Sequence, residues 1–157
     1  MPKCQITVQE PLDDDSNKLI REAEAALPRA YAPYSGFHVA AAILLDDGTI
    51  LTGTNQENAA YPLCMCAERV VLYAKTSLHP ERSVTRLAVI AQRADASSPV
   101  AAAPCGSCRQ VISEFESRQN HPIEVIILTA EDGWIRLPSA QSLLPYGFSR
   151  SNLLGEQ

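Results

Sequence analysis

No stretch of the 157-residue chain approaches the roughly 18–20 consecutive apolar residues that a membrane-spanning helix needs. Internal repeats and low-complexity tracts are also absent, so no domain boundary is visible. No three basic residues stand together. The 13 Lys and Arg are scattered through a chain of net charge −5, whereas a nucleic-acid binder usually carries a basic patch. The opening MPKCQITVQEPLDDDSNK lacks the apolar segment of a secretory signal. These absences lead us to expect a cytoplasmic protein whose partners are small molecules and other protein subunits, with no nucleic acid and no membrane. The three histidines, His38, His79 and His121, show no ligand spacing and read as structural or solvent-facing.

What is present looks globular. The hydrophobic share is 46% and the charged share 20%, near the averages for folded domains, which excludes a disordered chain, a collagen-like repeat and a coiled coil. The length suits one domain, residues 1–157, with 1–14 expected as a loosely ordered tail. A chain of this size buries a full core without disulfide staples.

The hydrophobic pattern gives a coarse order of elements. Asp13-Asp14-Asp15-Ser16 reads as a solvated helix N-terminus, because acidic side chains face the positive end of the helix dipole. Leu19, Ile20, Ala23 and Leu27 then recur at helical spacing up to Pro28. Apolar runs at 37–45, 49–54, 86–91, 123–128 and 133–137 read as strands, with Asp46-Asp47-Gly48 as a hairpin turn. Helices are expected from Cys66 to about Thr76 and from Cys105 or Gly106 to about Arg118, with a short one near Ser139–Leu144. Val70, Leu72, Tyr73 and Ala74 are candidate core residues of the first of these. Trp134 is expected to pack beside the C-terminal hairpin. The implied fold is α/β, a mixed five-stranded sheet covered by helices on both faces as a three-layer α-β-α sandwich.

Four of the five cysteines fall in two tight groups. In a chain kept inside the cell, clustered cysteines favour metal binding or catalysis over disulfides. One group, Cys64 and Cys66, runs into Cys66-Ala67-Glu68, the other is Pro104-Cys105-Gly106-Ser107-Cys108, and each opens a predicted helix. Three thiolates from two helix starts can converge on one tetrahedral zinc and leave its fourth position to water, which is the catalytic arrangement. Glu68 is close enough in sequence to reach that open side as a proton carrier. Three thiolates leave a Zn²⁺ site at net −1. Two helix N-termini contribute roughly half a positive charge each. Arg69, three residues beyond Cys66 and on the same helical face, is expected to restrain the thiolate charge further. Arg109 reads equally well as structural.

These groups, about forty residues apart, match the zinc nucleobase deaminase signature H-x-E…P-C-x-x-C in its three-cysteine variant. The chain resembles the cytidine deaminase family in its small homotetrameric form. The resemblance runs from about Ala30 to Phe148 through Ala30-Tyr-Ala-Pro-Tyr-Ser-Gly-Phe37, Asn55-Gln-Glu-Asn58, Cys66-Ala-Glu-Arg69, Pro104-Cys-Gly-Ser-Cys-Arg-Gln110 and Leu143-Leu-Pro-Tyr-Gly-Phe148. It implies one zinc per subunit on Cys66, Cys105 and Cys108, with Glu68 as catalytic acid and base. It implies ribose contacts from Asn55 and Glu57, base contacts from Phe37 and the Ala67 backbone, and Phe148 reaching in from a neighbouring subunit. Tyr34 and Tyr61 match positions near the intersubunit contact. The implied reaction is hydrolytic deamination of cytidine and 2′-deoxycytidine in pyrimidine salvage, by a homotetramer with shared active sites.

Other readings stay open on the residues alone. The same core fits a deaminase of a modified cytosine nucleoside, such as a blasticidin-type antibiotic. Cys105 and Cys108 would also suit a thiol-redox protein. Cys64 reads as a small apolar thiol or, alternatively, as a fourth ligand that would close the metal site of a non-catalytic module. The Ala/Ser-rich segment from Arg93 to Ala103 is expected over the site entrance. Cys4 reads as a free thiol.

Overall fold

In the computed structural model the described residues are 12–131 and 133–155. Cys4 and most of the expected tail lie outside them. The helix predicted after the acidic run is α1, Asp14–Ala26, and its N-cap is Asp13, whose carboxylate accepts from the Ser16 N–H at 2.9 Å. Leu19, Ala23 and Ala26 form its buried stripe. Burying a leucine such as Leu19 completely is worth about 2 kcal/mol.

Strand β1, Phe37–Leu45, turns through Asp46, Asp47 and Gly48 into β2, Ile50–Thr54. Gly48 has φ +85°, a left-handed conformation that glycine adopts without a Cβ clash. Helix α2, Ala67–Leu78, leads to β3, Val84–Arg93, and α3, Gly106–Gln119, leads to β4, Glu124–Thr129. Strand β5, Gly133–Leu137, is followed by a short helical turn, Ala140–Leu143, and by α4, Arg150–Leu154. The sheet order is β2-β1-β3-β4-β5. Only the β3–β4 pair is parallel, and α3 lies in its crossover. Strand β3 is longer than the predicted 86–91, which lets Phe37 and His38 pair with Arg93 and Gln92.

The alternation of β1 separates the two layers. Ala41, Ile43 and Leu45 face a core built with α2 and α3, while Ala40 and Ala42 face α1. Trp134 packs on the α1 side. The three small side chains Ala40, Ala41 and Ala42 admit helices closely on both faces. The same need is stronger at Gly53 of β2, where a Cβ would lie 2.8 Å from the Val71 nitrogen and 2.9 Å from the Ala67 oxygen. A bare backbone at Gly53 therefore fixes how near the first turns of α2 come to the sheet.

The predicted core of α2 needs correction. Val71 and Leu72 are buried, as are Glu68 and Lys75, whereas Val70 and Ala74 are half-buried and Tyr73 is exposed. The buried positions 68, 71, 72 and 75 keep helical spacing. Two of them are polar, so a search for apolar residues alone selects the neighbouring face.

Candidate active site and metal centre

Helices α2 and α3 both begin at a cysteine. Cys66 and Cys105 are the N-cap residues, in extended conformation, and neither thiol folds back to cap its own helix. Cys108 stands in the first turn of α3 and is fully buried. The Cys66 and Cys105 sulfurs are 3.9 Å apart and those of Cys105 and Cys108 3.5 Å apart, with all three thiols within 4.8 Å of one another. Sulfurs at about 2.3 Å from a tetrahedral zinc are separated by about 3.8 Å. The donor set therefore fits zinc in number, chemistry and spacing.

Electrostatics agree with that fit. Arg69 Nη2 donates to the Cys66 sulfur at 3.4 Å. The Cys108 thiol and the Arg69 guanidinium draw the Cys66 thiol down to about 5 despite partial burial, while its bond to Cys66 and burial push the Cys108 thiol up. Thiols this close cannot all ionise unless a cation lies among them. The fourth candidate, Cys64, is not in this cluster. It accepts from the Asn58 N–H at 3.2 Å and its thiol turns to the Asn58 carbonyl at 3.6 Å, so the reading of Cys64 as a closing ligand finds no support in the geometry.

Beside the thiols lies a cavity of about 380 Å³, within the size range of small-molecule sites. Phe37, Asn55, Glu57, Cys66, Glu68 and Cys105 line it together. Glu68 is 4% exposed. Burial pushes its carboxyl above the usual range, and the Cys66 thiolate pushes the same way. A carboxyl so placed is suited to carrying a proton.

The opposite wall is an extended segment after β2. Gln56 pairs with Met65 through both backbone groups, at 2.9 and 2.8 Å, and Tyr31 brackets it from the other side. Asn55 Oδ1 accepts from the Val39 N–H and its Nδ2 donates to the Phe37 carbonyl, each at 2.9 Å. Glu57 accepts from the Ser35 hydroxyl and from the Tyr34 N–H at 2.9 Å, and these bonds hold its carboxyl below the usual range. A carboxylate kept ionised at a cavity wall is a strong acceptor for a substrate hydroxyl.

Of the residues expected at the substrate or the subunit contact, four stand apart from the cavity lining. Ala67 is buried behind Cys66 at the start of α2. Phe148 is 60% exposed, its carbonyl accepting from Gln110 Nε2 at 2.7 Å. Tyr34 and Tyr61 are exposed and meet edge to face, with ring centroids 6.1 Å apart. Arg109 donates to the Pro104 and Leu143 carbonyls, at 2.8 and 3.0 Å, which is a structural role. Of the segment expected over the entrance, Arg93 belongs to β3, and only Ala102 and Ala103 reach the lining. Sequence reasoning missed Val39, Met65 and Val89 of the lining. Nothing in their own neighbourhoods distinguishes them from core residues.

Comparison with known proteins points one way. A family model described as the cytidine and deoxycytidylate deaminase zinc-binding region matches residues 13–121. The cytidine deaminase of Sporosarcina psychrophila is 44% identical over 139 residues, 88% of this chain and 95% of that protein. That of Halalkalibacterium halodurans is 47% identical over 101 residues, 64% of this chain and 72% of that protein. The crystal structure of cytidine deaminase from Burkholderia pseudomallei superposes with a TM-score of 0.70 at 38% identity, covering 84% of this chain and 98% of that one.

Proposed function

The chain belongs to the zinc-dependent cytidine deaminase family, and on that premise we propose how its own residues hydrolyse cytidine to uridine and ammonia, with 2′-deoxycytidine also accepted. Cys66, Cys105 and Cys108 would hold the zinc. When bound, zinc supplies the Lewis acidity that makes water a nucleophile near neutral pH. Glu68 accepts the proton released as water adds to C4 of the base and delivers it to N3. Glu68 then carries a second proton, from the new hydroxyl, to the departing amine, so that ammonia leaves and the C4 carbonyl forms. The carboxyl ends the cycle as it began. Its burial beside the cluster is the single observation that carries this reading.

The rest of the cavity suits a free nucleoside. Glu57 faces it as a charged acceptor for a ribose hydroxyl, and Asn55 keeps a second Nδ2 hydrogen for another. Among the described residues no Lys or Arg lines it to meet a 5′-phosphate. Phe37 offers an aromatic surface for the base. Exposure of Phe148, Tyr34 and Tyr61 supports a homotetramer in which Phe148 completes a neighbouring site. A cytoplasmic place in pyrimidine salvage follows from that substrate.

The experiment is a cytidine assay on zinc-loaded protein, following ammonia release and the ultraviolet change, with Glu68→Gln beside it. The variant should keep fold and zinc and lose at least about a hundredfold in turnover. Near-normal turnover in the variant would overturn the role of Glu68. Light scattering tests the assembly: a fully active monomer would remove the shared site.

A further inference from the structure

Helices α2 and α3 start at the zinc cysteines and end together at a second cavity, of about 240 Å³. Twelve residues of helix separate its ends by about 18 Å, so this cavity is remote from the chemistry. Its lining includes Lys75 from the last turn of α2, Phe115 and Arg118 from the last turns of α3, and Ser83 from the connection to β3. Lys75 is only 7% exposed, and among the described residues its ammonium has no hydrogen bond or ion pair. Arg118 lies over the Phe115 ring at 5.0 Å and likewise meets no carboxylate. The nearby acids are held by another cation: Asp46, Asp47 and Glu81 all pair with Arg82, at 3.9, 3.2 and 3.7 Å.

A helix C-terminus favours a cation in its last turn, but such a cation normally stays in water. The Lys75 stem is buried and its ammonium opens onto the cavity; a cation confined there without a bonded counter-ion is costly, and a second one lining the same cavity raises the cost. Burial, and after it the Arg118 charge, hold the Lys75 ammonium below its usual range, with the Glu81 and Asp46 charges acting the other way. An anion seated between the two cations would reduce both penalties, against the opposing partial charge of the two helix C-termini.

We propose that this cavity binds phosphate, free or as a phosphomonoester, between Lys75 and Arg118, with the Ser83 hydroxyl as a further donor. The cavity falls below the usual range for drug-sized ligands, which suits a single small anion. Glu81 also lines the cavity and works against any anion, and its pairing with Arg82, a further lining cation, moderates that.

The test is calorimetric titration of zinc-loaded protein with inorganic phosphate at constant ionic strength, alongside thermal melts in phosphate and in chloride. The expected result is saturable binding of one phosphate per chain and a higher melting temperature in phosphate. Lys75→Met and Arg118→Gln should each weaken binding at least tenfold and abolish that rise, with cytidine turnover unchanged. Arg118 is exposed, so its variant keeps the test valid even if Lys75→Met perturbs packing. A second titration uses ribose 5-phosphate: tighter binding of the ester assigns the site to phosphomonoesters, and tighter binding of phosphate assigns it to the free ion. No saturable binding, or an equal response in wild type and both variants, overturns the proposal.

Discussion

Asn55 donates from its carboxamide to the Phe37 carbonyl at 2.9 Å and accepts from the Val39 N–H two residues on. Asn55 therefore joins the segment after β2 to the start of β1, and with it two walls of the cavity beside the thiols. Asn55→Ala should cost both stability and catalysis. It leaves the Val39 N–H and the Phe37 carbonyl without side-chain partners, for about 2 kcal/mol of stability. It also frees the Phe37 wall, for about a ten- to hundredfold fall in kcat/KM. Urea unfolding and steady-state kinetics on the same preparation check this. A catalytic loss with unchanged stability would assign Asn55 to the substrate alone.

Arg69 faces the metal site with one nitrogen and leaves another unsatisfied. Its Nη2 reaches the Cys66 sulfur, while among the described residues its buried Nε has no hydrogen-bond partner. The two facts predict opposite signs. Arg69→Gln should release zinc to a chelator about ten- to a hundredfold more readily, as loss of a group bonded to a metal ligand does. The zinc-free chain should be no less stable than wild type, because an unsatisfied buried donor is removed as well. Zinc retention under chelator and melting of the zinc-free protein separate the two effects.

Much of this arrangement was legible from residue order. Asp46-Asp47-Gly48 marked the hairpin, the apolar runs marked all five strands, and the two cysteine groups marked the helix starts that bring three thiols together. The residues that escaped did so for physical reasons. Tyr73 was assigned to the core because it is apolar, but the buried stripe of α2 runs through Glu68, Val71, Leu72 and Lys75, and Tyr73 falls outside it. Val39, Val89 and Met65 belong to three separate segments, so their common cavity exists only after the sheet has formed. Phe148, Tyr34 and Tyr61 were assigned to the site only through the family resemblance, and within one chain they stand exposed.

Asp13 was legible as part of a helix N-terminus but not as an ion-pair centre. Its two carboxylate oxygens meet Arg86 and Arg136, each at 2.6 Å, which ties α1 to strands β3 and β5. Partial burial works against its charge, yet the bonds from Ser16 and Arg86 hold its carboxyl far below the ordinary 3.8. A carboxyl depressed in the folded state adds stability above its unfolded pKa and loses it as pH falls toward the folded value. Asp13→Asn keeps the cap and removes the charge. The side chain is 44% exposed, so after solvent screening the variant should be less stable by about 0.5–1 kcal/mol at neutral pH. That gap should close as pH falls below about 4. Urea unfolding of both proteins at several pH values measures it, and a gap independent of pH would exclude the ion pairs as its source.

Glu116 is a buried carboxylate that joins three elements. Its Oε1 accepts from the Ile123 N–H at 2.7 Å and from the Ala140 N–H at 2.9 Å, and its Oε2 accepts from the Ser139 hydroxyl at 3.0 Å. It thus binds α3 to the start of β4 and to the turn Ala140–Leu143. The link continues, because the Leu143 carbonyl accepts from Arg109, which also donates to the Pro104 carbonyl next to Cys105. Glu116→Ala strands two buried N–H groups and a hydroxyl and should cost about 3 kcal/mol or more. Glu116→Gln keeps a carbonyl oxygen for both N–H groups, and the Ser139 hydroxyl can rotate to suit the amide, so about 1 kcal/mol should be lost. Urea unfolding of the zinc-loaded proteins orders the three. Equal losses in the two variants would mean that the charge and second oxygen of the carboxylate, which both variants remove, hold these elements together, and not the one acceptor oxygen that Gln keeps.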